Sequence, residues 1–575
     1  MGKISQKLPF LLEFIFNGLF IFLYSLRSIK KLPASWDINL VNNVIQYAAY
    51  IVPFILLINV LNNFKNSKGL EDFLRRYIFS MVVFVPLIIT WGDVEFAFWL
   101  ASAHLLSSIL ALYDDVNEIK EEKVRGEQNL FQGLRLRPAQ MVLFSFIGVI
   151  FLGTFLLMLP VASADGQSIS FVDGLFMATS ATCVTGLSTL SVQDNLSVFG
   201  QVVLLILIQI GGLSIMTLYS SMAILLGRSM RMKDRIIMQD LLDVSSLEEL
   251  FAMIINIIKY TFLIELWGGI VLTIAFTFEG FEFGKALYYG FFHSISAFCN
   301  AGFSLFNNSL ESYAGSPLVN GTIAILIILG GLGFIVLKDL GEVVTKGKKL
   351  VRLGLHSKIV IVTTIVLTVV GTLFIFFGEF LNSLDSYSLW EKMQISFFQS
   401  VTLRTAGFNT IPLTNLHKYT IYMMTLFMFI GGSPGSTAGG VKTTTLAILF
   451  YSIKSTLKGD KKVTVLDRKI PSPMVVRATA LMFISILITS TFILIMMKLE
   501  PEQSFLPIFF EVISASGTVG LTLGITPYLS LMGKIAMSVL MLIGRIGPLT
   551  LILAIGQRNR NKGKFDYPDG RIMIG

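Results

Sequence analysis

The chain has 575 residues, 54% of them hydrophobic and 12% aromatic, but only 14% charged. Soluble globular chains carry roughly 25% charged residues, so this one lacks the charge to coat a water-facing surface and has apolar mass for many membrane spans of about 20 residues. A soluble enzyme and a disordered scaffold are excluded. The formal charge of +9 does not call for nucleic acid as a partner, because excess Lys and Arg in a membrane protein marks cytoplasmic loops.

Apolar runs of spanning length fall near residues 9–26, 40–62, 77–92 and 94–112, predicting a block of about four transmembrane helices over 1–113 with membrane lipid around it. No small-residue cleavage site follows the first run, so it does not read as a signal peptide. The charged stretch 114–137, with EIKEEKVRGEQ, reads as a cytoplasmic linker. Apolar runs resume at 139–160 and continue to about 556.

Basic residues cluster at 228–235, 338–358, 454–477 and in the tail RNRNKGKFDYPDGR, whereas Val161–Ser197 holds no Lys or Arg. The basic clusters and the C-terminus are therefore expected in the cytoplasm, the acidic loops outside, and the chain in the cell (plasma, inner) membrane. Two Cys cannot form a disulfide framework, and four scattered His give no His-based metal site.

Four segments share one pattern, a short apolar stretch running into small polar residues and a glycine: MATSATCVTGLSTL, SISAFCNAGFSLF, SVTLRTAGFNTI and ISASGTVGLTLGI. Their glycines, Gly186, Gly302, Gly407 and Gly520, are 116, 105 and 113 residues apart. This is an internal repeat of about 110 residues. About 12 apolar residues cannot cross a bilayer and predict a re-entrant helix, followed by backbone that must be buried or line a wet cavity. Glycine there tolerates φ > 0, which turns successive carbonyls to one side. Four such loops about one axis form a ring of carbonyl oxygens of the kind that replaces the hydration shell of K+. The candidate filter residues are Thr182, Cys183, Val184, Thr185 and Gly186; Cys299, Asn300, Ala301 and Gly302; Thr405, Ala406 and Gly407; and Gly517, Thr518, Val519 and Gly520, with K+ held by their backbone carbonyls.

Residues 431–440, GGSPGSTAGG, interrupt an apolar span over about 419–452 with five Gly and one Pro. Gly costs about 1 and Pro about 3 kcal/mol at each interior helix position, so no continuous helix is expected there. The Walker A pattern fails by one residue, because Val441 separates GSTAGG from Lys442. This chain accordingly carries no nucleotide site.

From about Pro138 to Gly575 the chain resembles the Trk/Ktr/HKT superfamily of potassium transporters, and within it the Ktr-type membrane subunit (KtrB). The resemblance rests on the four glycine segments, on GGSPGSTAGGVKTTT, and on IGRIGPLT and YPDGRIMIG near the end. It implies an all-α polytopic membrane protein: four membrane–pore–membrane repeats, eight spans plus four re-entrant pore helices, around one pore. These would occupy 138–240, 241–350, 351–465 and 466–575, the last including the cytoplasmic tail. It implies a homodimer with a cytoplasmic RCK-type nucleotide-binding subunit (KtrA/TrkA-like) as partner. In the plant branch a serine at the first filter glycine goes with sodium preference, so Gly186 implies potassium. The 137 N-terminal residues depart from the usual Ktr-type subunit, which begins near residue 138.

The same resemblance makes Gly431, Gly432, Ser433, Pro434, Gly435, Ser436, Thr437, Ala438, Gly439 and Gly440 a gating loop below the filter. Arg545 is expected beside it, where a fixed charge raises the barrier to a cation. Snorkelling or structural pairing is the alternative for Arg545, and Lys442 is open between a gating and a structural role. Cys183 and Cys299 are expected to pack, and Arg404 to point away from the ion path toward a carboxylate. His293 and Glu511 are expected to cap or pair behind the filter. Asp165, Asp173, Asp194, Glu279, Glu282 and Glu311 would give the outer vestibule negative potential. The function expected is potassium uptake through a gated pore, with sodium stimulation or coupling left open. A less selective K+/Na+ transporter of the same fold is the alternative. A polytopic membrane enzyme would need clustered carboxylates or His at one membrane face, and the sequence has none.

Overall fold

A computed structural model of the chain describes residues 138–213, 247–346, 353–460 and 462–547, together with parts of 16–101. The expected linker 114–137, the basic cluster at 228–235 and the C-terminal tail lie outside the described residues, as does most of the expected N-terminal block.

The chain divides into two compact units, one comprising residues 1–135 and 159–168 and the other 136–158 and 169–575. The first therefore takes in a short stretch that the sequence reading gave to the first repeat. Its described residues pack Phe20, Ile45, Ala49 and Phe98 into a small apolar cluster, with Tyr24 and Phe98 rings 4.6 Å apart.

The second unit is built from helices that recur in four sets, each with a long or apolar helix, a short one and then one or two more. The first set is α1 (Pro138–Leu157), α2 (Phe171–Thr182) and α3 (Val198–Leu213). The second is α4 (Leu247–Phe278), α5 (Phe283–Phe298) and α6 (Pro317–Leu332), with α7 (Phe334–Lys346) bent 108° away from α6. The third is α8 (Leu355–Glu379), α9 (Leu389–Thr402), α10 (Lys418–Phe429) and α11 (Thr443–Leu457). The fourth is α12 (Ser472–Leu499), α13 (Phe505–Gly517) and α14 (Leu531–Ile546). Among the described residues, Ile254–Phe278, Leu355–Glu379 and Ser472–Leu499 are long and apolar enough to cross a membrane.

Local sequence fixes where the short helices start. The Ser170 hydroxyl accepts the Asp173 N–H at the head of α2. Ser388 and Glu391 form a reciprocal capping box on α9, worth about 1 kcal/mol for the cap alone. The short helices are the core: Phe176, Phe292, Phe298, Phe398 and Phe510 are all fully buried. Between α11 and α12, β1 (Thr464–Val465) and β2 (Arg468–Lys469) form a two-residue antiparallel hairpin. The expected boundary between the third and fourth repeats, at 465/466, falls in its turn, and the hairpin is a small departure from an all-helical reading.

Candidate functional site

Each short helix ends in a turn of unusual backbone. Two residues before each repeat glycine stands a non-glycine in the left-handed region: Val184 (φ 57°), Asn300 (φ 59°), Thr405 (φ 69°) and Thr518 (φ 52°). The glycines follow at φ 96°, 69°, 80° and 95°. Three of the four non-glycines are β-branched, for which φ > 0 is a genuine outlier, costing of order 1–3 kcal/mol each. Left-handed residues at alternate positions aim successive carbonyls to one side instead of letting them alternate as in a strand.

The four turns close on one another. A β-carbon added to Gly186 would fall 2.5 Å from the carbonyl oxygen of Ala301, and one on Gly302 2.7 Å from that of Ala406. One on Gly407 would lie 2.7 Å from that of Val519, and one on Gly520 against that of Thr185. The carbonyl before each glycine thus abuts a glycine of another turn, and the cycle returns to its start after four steps. Only a residue without a side chain fits at each. The hydroxyls of Thr182, Thr185, Thr402, Thr405 and Thr518 are buried at these turns without a hydrogen-bond partner.

Behind the ring, side chains of the short helices hold the turns. The Gly186 N–H donates to the Ser180 hydroxyl (3.1 Å) and the Gly520 N–H to that of Ser514 (3.0 Å), while the Ser296 hydroxyl donates to the Phe303 carbonyl. His293 donates from Nδ1 to the Tyr289 carbonyl (2.7 Å), leaving Nε2 to accept from Ser304 (3.0 Å). Glu511 accepts from the hydroxyls of Thr522 and Thr526. Both residues therefore brace the chain just past a ring glycine.

Below the ring, the helix is broken between Phe429 and Thr443. The loop is pinned to neighbouring backbone carbonyls: the Ser433 N–H donates to Gly331 O (3.0 Å) and its hydroxyl to Leu332 O, and the Thr437 hydroxyl donates to Phe298 O (3.1 Å). Lys442 Nζ folds back onto Ala438 O (2.7 Å). A β-carbon on Gly439 would strike the Thr518 side chain of the fourth turn. Arg545 reaches this loop from α14, donating to Thr437 O with Nη1 and to Gly211 O and Gly212 O with Nη2. It thereby ties α14, the loop and the end of α3 together.

A model of the TrkH family, described as cation transport protein, matches residues 131–561. The chain belongs to this family. Its members are transporters rather than enzymes, and the fold is that of a polytopic integral membrane protein. The Ktr system potassium uptake protein B of Bacillus subtilis (strain 168) is 36% identical over 455 residues, covering 78% of this chain and 99% of that one. The potassium/sodium uptake protein NtpJ of Enterococcus hirae is 35% identical over 446 residues, covering 77% and 98%. The crystal structure of the potassium transporter TrkH from Vibrio parahaemolyticus aligns over 88% of this chain and 97% of that one, with TM-score 0.58 at 18% identity, a likeness of fold.

Some expectations for this cation transporter are corrected. Arg404 meets no carboxylate among the described residues: it is buried, its Nε has no partner, and it borders a small cavity with Thr368, Val401, Ile327 and Gly331. The reason is packing, because the elements around it present apolar side chains and a threonine. Cys183 and Cys299 are each fully buried in an apolar cluster, and the Cys299 thiol also lies 3.7 Å from Gln209 Oε1 and 3.9 Å from Glu265 Oε1. Several of the acids expected at an outer vestibule are engaged in clamps. Asp173 pairs with Lys534 (2.7 Å), Asp194 accepts from Asn307 (2.7 Å) and Glu311 from Asn409 (2.6 Å). Burial raises the Glu311 carboxyl above its ordinary range, partly offset by the Asn409 amide. Asp165, on the first unit, is exposed and held low by the Ser163 hydroxyl and the Gln167 N–H. Glu279 and Glu282 are exposed.

Sequence reading missed a second glycine motif. Gly211, Gly330 and Gly544 sit so close beneath the turns that a β-carbon on each would strike a carbonyl oxygen, of Thr182, Phe298 and Ser516 respectively. The signal was present as the doublets Gly211-Gly212, Gly330-Gly331 and Gly431-Gly432, with Gly544-Arg545 as the fourth.

Proposed function

We propose that this chain is the membrane subunit of a potassium-uptake system, conducting K+ through a gated pore whose selectivity filter is the four-turn ring. Supporting this above all is the closed cycle of glycines and carbonyls, a set of fixed oxygen dipoles suited to replace the hydration shell of a monovalent cation. The filter comprises the segments ending in Gly186, Gly302, Gly407 and Gly520. The gate comprises the loop 431–440, Lys442 and Arg545, the guanidinium acting as a fixed positive charge that a cation must pass until the loop shifts.

On this reading the second unit holds four membrane–pore–membrane repeats, and about four extra N-terminal spans precede them. The chain lies in the plasma membrane with the basic clusters and C-terminus in the cytoplasm. It works as a homodimer with a separate RCK-type subunit supplying nucleotide control. The relatives named as proteins of a Ktr system support a multi-component system. The name of NtpJ, a potassium/sodium uptake protein, favours a second reading in which the pore also passes sodium or is stimulated by it.

The test is growth at limiting potassium, with rubidium uptake, in cells lacking their own potassium importers. The intact chain should restore both, and Gly186→Ser should shift entry toward sodium. Absence of uptake by well-expressed protein, even with an RCK-type partner present, overturns the proposal.

A further inference from the structure

Glu265 lies midway along α4, 4% exposed, and no basic side chain among the described residues is within ion-pair reach of it. An unpaired carboxylate within a membrane span is expensive and by default marks function. Its contacts are few and specific. Gln209 Nε2, on α3 of the preceding repeat, donates to both carboxylate oxygens at 3.0 and 3.3 Å. The Cys299 thiol, at the base of the second filter turn, faces Gln209 Oε1 and Glu265 Oε1. A β-carbon at Gly212 would strike Cys299 Sγ, so α3 packs directly against the thiol.

The third repeat supplies an internal control. The Ser294 hydroxyl donates to Glu265 O at 2.7 Å, and the Ser400 hydroxyl donates to Thr368 O at 2.7 Å. Three residues on, a β-carbon at Gly268 would meet Ser294 Oγ and one at Gly371 would meet Ser400 Oγ. Glu265 therefore stands where Thr368 stands in the next repeat. The packing of this crevice asks for no more than a threonine, so the carboxylate serves its polar contacts.

Resting on the potassium-uptake reading, we infer that Glu265 is a positioning residue for selectivity. Through Gln209 and Cys299 it fixes the second filter turn against the neighbouring repeat, so that the Ala301 carbonyl keeps its place beside Gly186. The role lies in hydrogen-bonding geometry rather than in charge, since the carboxylate contacts the segment through an amide and a thiol.

The experiment compares the full chain with Glu265→Gln, which keeps an acceptor for Gln209, and Glu265→Thr, which the internal control shows the crevice accommodates. Two readouts are taken: rubidium against sodium uptake in importer-deficient cells, and alkylation of Cys299 by a small membrane-permeant thiol reagent, followed by peptide mass spectrometry. Leaving the half-buried Gln209 amide without its acceptor corresponds to roughly tenfold. Glu265→Thr should thus lower the rubidium/sodium preference about tenfold and speed Cys299 alkylation by a similar factor, with Glu265→Gln close to the intact chain in both. Equal alkylation in all three, or an equal loss of preference in both variants, overturns the inference. If the intact chain transports neither ion, the uptake reading falls, and alkylation alone still decides whether Glu265 holds the turn.

Discussion

Replacing Gly302 by alanine tests the ring most directly, because two separable effects act there. Its φ of 69° is strained for any L side chain, at about 1–2 kcal/mol. The added carbon would also sit 2.7 Å from the Ala406 carbonyl oxygen and 2.8 Å from Gly407 Cα. Both obstacles are backbone, which cannot swing away as a side chain can, so overpacking adds about 1–3 kcal/mol. Gly280, with φ 94° and nothing within 4 Å of an added carbon, isolates the strain alone. In thermal unfolding of detergent-solubilised protein at about 2 °C per kcal/mol, Gly280→Ala should lower the midpoint by a few degrees and Gly302→Ala by about two to three times as much. Rubidium/sodium preference should fall more than tenfold in Gly302→Ala and stay unchanged in Gly280→Ala, since displacing Ala406 O opens the oxygen ring. Equal midpoints for the two variants, or an intact preference in Gly302→Ala, would refute the reasoning that the glycines are a contact ring.

Arg545→Met removes the donors to the Thr437, Gly211 and Gly212 carbonyls; the proposed gate should loosen, and rubidium uptake without partner activation should rise, so an unchanged or lower rate in well-folded protein counts against gating. The Lys534–Asp173 pair joins the head of α2 to α14 with side chains 16% and 20% exposed; a double-mutant cycle with Lys534→Met and Asp173→Asn should give a coupling of about 1 kcal/mol, and a value near zero would mean the pair is incidental. Burial raises the Glu311 carboxyl above its unfolded value, so the native state holds the proton more tightly. Stability should then be greatest below the unfolded pKa and fall as pH rises through the native one. Glu311→Gln should flatten the dependence of the unfolding midpoint on pH over that window, and an unchanged slope would show that the slope has another origin.

The sequence made the repeat legible because glycine is chemically unambiguous: no other residue accepts both a positive φ and a neighbour's backbone at van der Waals distance. The break at 431–440 was equally plain, five Gly and a Pro being incompatible with a helix, and the chain is non-helical between Phe429 and Thr443. What stayed hidden were properties of pairs. Val184, Thr405 and Thr518 are poor left-handed residues by intrinsic preference, and only the surrounding helices impose that backbone. Glu265 precedes Cys299 by 34 residues, and nothing local joins them. Arg404 invited a carboxylate because a buried guanidinium ordinarily needs one; the burial is visible in the pattern, but that none of the described residues supplies the carboxylate is not. The serine six residues before three of the ring glycines (Ser180, Ser296, Ser514) was readable once the segments were aligned.

The glycine doublets suggest how one framework carries an asymmetric device. In three repeats the second glycine admits a neighbour: Gly212 faces Cys299, Gly331 faces Asn300, and Gly432 faces Ala438. In the fourth repeat the place is taken by Arg545, whose side chain leaves its own helix and spends its donors on carbonyls of the first and third repeats. A fourfold ring needs equal steric room at every second helix, and the glycines supply it. The proposed gate needs one position that differs. Substituting a single long cation into the symmetric set achieves this without disturbing the oxygen ring above, because the first glycine of the doublet, Gly544, still packs against Ser516 O. On the proposed assignment, filter and gate are separable in sequence by one residue, and mutations at Gly544 and Arg545 should affect ion preference and ion flux, respectively.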